Sequence, residues 1–156
     1  MTGPDLRPAV MGDAPRIAAL HALSFGDAWN AGSVGALVET PQSSAWVAEE
    51  DGRIVGFLLA RKAADEAEIL SIAVAKEMRR TGLGRRMLAH LLSDCSGSGI
   101  AAIFIEVAEA DAGAVAFYDA TGFRVCGRRR AYYRDRPPGA NDALLMRLDI
   151  AAADAP

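Results

Sequence analysis

The segment 79–84, Arg-Arg-Thr-Gly-Leu-Gly, has the composition of a turn that binds phosphate. It follows an apolar stretch, 72–74, and opens a segment whose leucines recur at helical spacing. The first turn of a helix carries unpaired backbone N–H groups and the positive end of the helix dipole. Gly82 and Gly84 would let a ligand approach those groups closely. We therefore predict an anion site that suits a pyrophosphate; an ordinary helix start with solvated arginines is the alternative.

Two other phosphate-binding motifs do not fit this segment. A Walker-type loop requires Gly-Lys followed by Ser or Thr, and the chain has no such run. A dinucleotide-binding fingerprint requires a third glycine, which would fall near Met87, and a place after the first strand of a βαβ unit. The segment meets neither requirement.

Two side chains farther along the chain have the chemistry of proton transfer. Glu106 follows the apolar run 101–105, and burial there would make its carboxylate a stronger base. Tyr118 lies at helical spacing from Val115 and four residues before Gly122, and its hydroxyl can donate a proton. The alternatives are a solvated strand end for Glu106 and simple core packing for Tyr118.

The elements that would position these residues follow from periodicity and turn signals. We predict strands at 6–10, 44–49, 53–61, 66–74, 100–107, 123–130 and 143–148. Helices are expected from a cap at Asp13, at 31–39, from Leu83 to a stop before Ser96, and from a cap at Asp111 to Gly122. Asp51-Gly52 marks a hairpin. The order β-α-α-β-β-β-α-β-α-β-β predicts an α/β (α+β) protein with a mixed sheet and helices on its faces.

Length and composition indicate one domain, expected at 1–150, with a disordered tail at 151–156. The chain has 156 residues, 51% of them hydrophobic, and a formal net charge of −3. An acidic chain is a poor general binder of nucleic acid. Cys95 and Cys126 lack metal-site spacing and are expected to be free thiols, as in a reducing cytosol. No membrane span or signal peptide is expected.

Three further residues have less definite expectations. Tyr132 and Tyr133 lie in a loop rich in Arg, Pro and Gly, where they could close over a substrate or simply pack the loop. His21 has no partner that the sequence reveals, so a surface or helix-face position is expected.

Arg79-x-x-Gly82-x-Gly84, coming after Ile-Ala-Val at 72–74, resembles the signature of the GNAT acetyltransferase superfamily. The order of elements also resembles that fold, a mixed, mostly antiparallel, twisted sheet of about seven strands with about four helices. The resemblance implies acetyl-CoA as cosubstrate and no metal. The turn would hold its pyrophosphate, and the strand before it, splayed by a bulge, would hydrogen-bond the pantetheine and the acetyl carbonyl.

A second set of motifs narrows the resemblance. Glu-Ile-Leu-Ser-Ile-Ala-Val at 68–74, Ile-Glu-Val at 105–107, Ala-Phe-Tyr with Gly-Phe at 116–123, Arg-Arg-x-x-Tyr-Tyr at 128–133 and Asn-Asp-Ala-Leu-Leu-Met at 141–146 are similar to RimI-type ribosomal-protein-alanine N-acetyltransferases. The similarity is strong from about Glu66 to Leu148 and weak before that.

The resemblance assigns roles to individual residues. Glu106 would be the base and Tyr118 the acid that protonates the departing thiolate. Glu68 is the competing base; because it lies roughly 13 Å along the strand from Ile72, it would act through water or line the acceptor groove. The implied coenzyme-binding residues are Ile72, Ala73, Val74, Arg79, Arg80, Thr81, Gly82, Leu83, Gly84, Arg85, Asp111 and Tyr118.

One of these residues departs from the family pattern. RimI-type enzymes usually carry Asn where this chain has Asp111, and a carboxylate accepts hydrogen bonds without donating any. Asp111 can still cap its helix, but its contact with the coenzyme is open.

The expected function is transfer of an acetyl group from acetyl-CoA to the α-amino group of a protein N-terminus, that of an alanine-starting ribosomal protein. Acetylation of a small-molecule amine or a lysine side chain is one alternative, and a non-catalytic acyl-CoA-binding module is another. The expectation includes a cytoplasmic enzyme, monomeric or weakly dimeric, that contacts neither a membrane nor nucleic acid directly.

Overall fold

The computed structural model describes residues 3–25, 29–133 and 141–150, so the predicted tail at 151–156 lies outside the described residues. Within them the chain forms seven strands and four α-helices in the predicted order. In chain order the elements are β1 Asp5–Pro8, α1 Ala14–Ser24, α2 Ala31–Glu39, β2 Ser43–Glu50, β3 Arg53–Ala63, β4 Glu66–Val74, α3 Leu83–Gly97, β5 Ala102–Ala108, α4 Ala112–Ala120, β6 Arg124–Arg129 and β7 Ala143–Asp149.

The strands form one sheet in the order β1-β2-β3-β4-β5-β7-β6. The β4–β5 pair is parallel and the others are antiparallel, which confirms the expected mixed, mostly antiparallel sheet. Residues 54–60 of β3 are all buried, as in a strand covered on both faces by helices. Asp51 and Gly52 turn the β2–β3 hairpin with φ of 52° and 77°. None of the helices in the described residues has the length and hydropathy to span a membrane.

The sheet forks between β4 and β5. These strands pair from Glu66 opposite Ala102 to Ile69 opposite Ile105, and the pairing stops there. Leu70 is an extra residue in β4, because Ile69 lies opposite Ala60 of β3 while Ser71 lies opposite Leu59. Such a bulge bends its strand and increases the local twist. Beyond it β4 stays with β3 while β5 continues beside β7, and the two strands enclose an open wedge.

The start of the chain differs from its prediction in two respects. The first strand ends at Pro8 rather than at residue 10, and Asp13 does not cap α1 with its side chain. The Asp13 carboxylate is buried, and it accepts hydrogen bonds from the Val10 N–H and the Arg7 guanidinium, each at 2.8 Å, and from Arg16 at 2.9 Å. A buried carboxylate needs several donors, and these arginines provide more of them than a helix end would.

Two further expectations were wrong. Helix α3 passes the predicted stop before Ser96 and ends at Gly97, because the buried Cys95 extends its apolar stripe by a turn. His21 is buried rather than superficial, and its Nδ1 accepts a hydrogen bond from the Trp29 N–H at 3.2 Å. Its ring stacks on Trp29 and on Phe57 of β3. The Phe57 contact is tertiary, so local sequence could not reveal it.

The Asp13 cluster should make stability depend on pH at the acid end. Hydrogen bonds from Arg7 lower the pKa of Asp13 to about 2. Burial is the second-largest influence, and it partly opposes this shift. A depressed pKa contributes stability above the unfolded-state pKa near 3.9 that is lost as the pH falls through the folded-state value. We expect the free energy of unfolding to drop by about 2 kcal/mol from this group as the pH falls from about 5 to about 2.

Urea unfolding of Asp13→Asn and of the wild type at pH 7 and pH 3 would measure this effect. The variant should be less stable by about 2 kcal/mol at pH 7 and less sensitive to acid. Asp5→Asn, at an exposed carboxylate of β1, is the control and should follow the wild type. If both variants followed the wild type, the Asp13 cluster would not be the cause.

Candidate active site

A cleft of about 750 Å³ lies at the fork of the sheet. One wall is the end of β4, from Ile72 to Val74, and another is the segment that leads into α3. Helix α4 contributes Phe117 and Tyr118, and the end of α1 contributes Ser24 and Phe25. The cleft therefore joins most of the predicted coenzyme-binding residues in one place.

The predicted phosphate turn forms the start of α3 with its amides unpaired. Gly82 precedes the helix with φ of 85°, a left-handed conformation that glycine adopts without strain. The first helical hydrogen bond runs from Arg86 N–H to the Gly82 carbonyl at 3.0 Å. The N–H groups of the three residues between them therefore have no acceptor within the helix. This positive helix end is on the cleft wall, which suits a pyrophosphate.

Three arginines surround this helix end. Arg79, Arg80 and Arg85 are exposed and line the cleft. No carboxylate among the described residues forms an ion pair with them. Their charges are thus available to an anionic ligand, in a chain whose net charge is −3.

Two residues of the turn have structural tasks that the sequence did not reveal. A Cβ atom on Gly84 would lie 3.2 Å from Cζ of Phe117, so this glycine allows α4 to pack closely against α3. The Thr81 hydroxyl donates to the Met78 carbonyl at 2.6 Å and closes the turn. Thr81 itself is not on the cleft wall, whereas Gly82, Leu83 and Gly84 are.

The end of β4 offers a free backbone edge to the cleft. On its other edge Ala73 and Val74 pair with Phe57 and Gly56 of β3. Past Ile69, no strand in the described ranges pairs with the edge that faces the wedge. An extended ligand with amide groups can add to such an edge as a further strand does. The pantetheine arm of coenzyme A has amide groups of that kind, so the residues present fit the predicted coenzyme.

Tyr118 is the buried acid candidate in the cleft. Tyr118 is 3% exposed, and its ring packs edge-on against Phe117 and Phe123. Burial, with a smaller contribution from the charge of Asp111, raises the pKa of Tyr118 above its usual value. The hydroxyl therefore keeps its proton at neutral pH, as a proton donor must.

Glu106 lies at the point where the two strands separate. Ile105 is the last residue of β5 that pairs with β4, and Glu106 comes next. Its environment is less apolar than expected: the side chain is 26% exposed, and Oε1 lies 2.8 Å from Nε of Arg129. The preceding strand is apolar, but a cation from β6 occupies the space beside the carboxylate. Its role as the base remains a prediction.

Glu68 and Asp111 occupy different kinds of position. Glu68 is exposed on the paired part of β4, beside Phe104, and is not among the residues that line the cleft. Asp111 lines the cleft, and its carboxylate accepts a hydrogen bond from the Ala114 N–H at 3.1 Å, which confirms the predicted cap of α4. Its contact with the coenzyme remains a prediction.

Sequence reasoning missed several residues that the tertiary structure brings to this region. Ser24 and Phe25 line the cleft from the end of α1, and Phe117 lines it from α4. Arg129 was noted as part of a motif but was assigned no role. The local sequence around Ser24 and Phe25 has no signal for a site, whereas the position of Phe117 directly before Tyr118 could have suggested one.

Comparison with known proteins shows which family this chain resembles. The family model for the acetyltransferase (GNAT) family matches residues 14–123. The ribosomal protein bS18-alanine N-acetyltransferase of Escherichia coli K12 is 35% identical over 102 residues, which are 65% of this chain and 68% of the relative. The N-alpha-acetyltransferase RimI of Mycobacterium tuberculosis is 33% identical over 156 aligned residues, covering 93% of this chain and 95% of the relative.

A solved structure extends the match to the fold. The crystal structure of the ribosomal-protein-S18-alanine N-acetyltransferase from Escherichia coli superposes with a TM-score of 0.85 at 26% identity. The superposition covers 95% of this chain and 94% of the Escherichia coli chain. The resemblance predicted from the turn and from the later motifs is thereby confirmed, and the chain belongs to the acetyltransferase (GNAT) family and is an N-acetyltransferase.

Proposed function

We propose that this enzyme transfers the acetyl group of acetyl-CoA to the α-amino group of a protein N-terminus, with an alanine-starting ribosomal protein as the acceptor. The observation that carries the proposal is the fork of the sheet. One branch presents the open edge of β4 and the positive end of α3, and the other presents Glu106 at the first position of β5 that no longer pairs with β4. The relative that is 33% identical is named an N-alpha-acetyltransferase, and the one that is 35% identical is named a ribosomal protein bS18-alanine N-acetyltransferase.

Acetyl-CoA supplies the acetyl group as a thioester, and the protein provides the site that binds acetyl-CoA. In the proposal, the amides at the start of α3 and the side chains of Arg79, Arg80 and Arg85 hold the phosphates. The backbone of Ile72 and Val74 hydrogen-bonds the pantetheine arm. The glycines of the turn allow close approach to the backbone, Leu83 contributes its backbone amide, and the chemistry requires no metal.

Two side chains account for the protons. An acceptor that arrives as an ammonium ion loses two protons from nitrogen when the amide is complete. Glu106 takes one on a carboxylate oxygen, which leaves a neutral amine that can form the C–N bond. The Tyr118 hydroxyl gives a proton to sulfur as the C–S bond breaks, and the second proton that leaves nitrogen returns to the tyrosinate oxygen. Glu106 then releases its proton to solvent, so the net reaction sets one proton free.

The pKa of the acceptor amine favours an α-amino group over a lysine side chain. An α-amino group has a pKa of about 7.7–8.0, whereas that of a lysine is about 10.4. A single carboxylate therefore obtains a neutral α-amine far more easily near pH 7. The proposal also includes a cytoplasmic enzyme that acts as a monomer or weak dimer and requires no nucleic acid or membrane.

Mass spectrometry of a peptide library incubated with the purified protein and acetyl-CoA tests the proposal. Peptides that start with alanine should gain one acetyl group at the N-terminus. The same peptides blocked at the N-terminus but containing lysine are the control and should remain unmodified. Acetylation of lysine or of small amines, with the free alanine N-termini untouched, would contradict the proposed acceptor.

A further inference from the structure

Glu106 already has a positively charged partner before any acceptor binds. Its Oε1 lies 2.8 Å from Nε of Arg129, the last residue of β6. The two residues meet because β7 lies between their strands: Glu106 pairs with Leu145, and Arg129 pairs with Ala143 two residues away. Alternate residues of a strand share a face, so this register brings both side chains to one face of the sheet.

Two other charged residues among the described ones lie near this face, Arg147 and Glu68. Arg147 is directed over the ring of Phe104 at 5.2 Å and hydrogen-bonds Asp149 at 2.7 Å. Glu68 lies beside Phe104 on β4 and adds negative charge to the same region. Among the described residues, the ion pair of Glu106 is therefore with Arg129 alone.

Arg129 has a second favourable contact at the base of the β6–β7 loop. Its guanidinium carbon lies 5.4 Å from the centre of the Tyr132 ring, a cation–π distance. Next to Tyr132, the Ala131 N–H donates a hydrogen bond to the Asp142 carboxylate at 2.8 Å, which ties this end of β6 to the start of β7. The Arg129 side chain is 59% exposed, so the guanidinium can leave the carboxylate and still remain against this ring.

An acceptor amine that reaches Glu106 as a cation must compete with this guanidinium for the same carboxylate. We propose that Arg129 is a positioning residue: it holds the Glu106 carboxylate in the free enzyme and is displaced by the positively charged amine of the acceptor. This inference rests on the proposed function, since it takes Glu106 as the base. It adds a charge-selective exchange: a cationic amine can replace the guanidinium, and a neutral group cannot.

The exchange makes a prediction for binding. Arg129→Met removes the competitor, so a peptide with a free N-terminus should bind the coenzyme A-loaded enzyme about two- to fivefold more tightly, which corresponds to a partly exposed ion pair. The same peptide with an acetylated N-terminus has no charge there, and its affinity should be unchanged. Arg129→Lys retains a cation and should restore wild-type behaviour towards both peptides.

Titration calorimetry tests this prediction. An alanine-starting peptide and its N-acetylated form are each titrated into the wild type, Arg129→Met and Arg129→Lys. The matched control is Arg128→Met. Arg128 is the neighbour of Arg129 on β6, and its substitution breaks a similar ion pair, with Glu109, but should change the affinity for neither peptide. An unchanged or weakened affinity of Arg129→Met for the free peptide, or equal changes for both peptides, would overturn the inference. A wild-type enzyme that bound and acetylated no such peptide would instead refute the proposed function, and the inference with it.

Discussion

Glu106→Gln is expected to lower turnover about a hundred- to ten-thousandfold, the usual contribution of a general base. Glutamine keeps the size of the side chain and can still accept a hydrogen bond from Arg129, but it cannot take a proton from the amine. Binding of the coenzyme should be unaffected, because Glu106 is not among the residues that line the cleft. Steady-state kinetics with an alanine-starting peptide would measure the loss, and calorimetry with coenzyme A would test the intact site.

Glu68→Gln is the matched control for this prediction. It makes the same chemical change on the neighbouring strand, two residues before the fork and on an exposed side chain. Its turnover should stay close to that of the wild type, because substitution of an exposed side chain changes the free energy of unfolding by no more than about 0.5 kcal/mol. A large loss for Glu68→Gln with a small one for Glu106→Gln would transfer the role of base to Glu68.

Gly82→Val is expected to abolish coenzyme binding, with a loss of affinity well above tenfold. With φ of 85°, Gly82 has a backbone conformation that disfavours other residues by about 1–2 kcal/mol and β-branched ones most. Relief of that strain would turn the free amides at the start of α3 away from the phosphates. The new side chain would also stand on the wall of the cleft, since nothing in the protein lies within 4 Å of its Cβ. Calorimetry with coenzyme A would measure the loss.

Gly52→Val separates this local effect from general strain. Gly52 has φ of 77° and equally open surroundings, but it lies in the β2–β3 hairpin and outside the cleft. Both variants should lose similar stability in thermal unfolding, and Gly52→Val should keep its affinity for the coenzyme. Unchanged affinity of a folded Gly82→Val would remove the case for the turn as the phosphate site.

Local chemistry accounts for the features that were predicted correctly. The hairpin at Asp51-Gly52, the cap at Asp111 and the glycine before α3 each depend on a few neighbouring residues and on backbone angles that those residue types favour. The order of elements follows from apolar spacing, which is also local.

Two of the errors have the opposite character, because contacts between elements decided them. The Asp13 carboxylate is directed to Arg7 and Arg16 rather than to its helix, since burial demands more donors than the helix start offers. His21 is buried because Phe57 of β3 lies beside it. A local pattern contains no information about such a neighbour.

The residues around the site likewise fall into two groups: those that local sequence identified and those that only the tertiary structure brought together. The turn that begins α3 and the candidates Glu106 and Tyr118 could be identified from the sequence, because their types and spacing match the chemistry and the family. Only the tertiary structure decided where the strands separate, since the fork depends on the register of β4 against both β3 and β5. The insertion of β7 between β5 and β6 likewise brought Arg129 to Glu106, because long-range strand pairing, unlike a turn, is determined by contacts across the whole sheet.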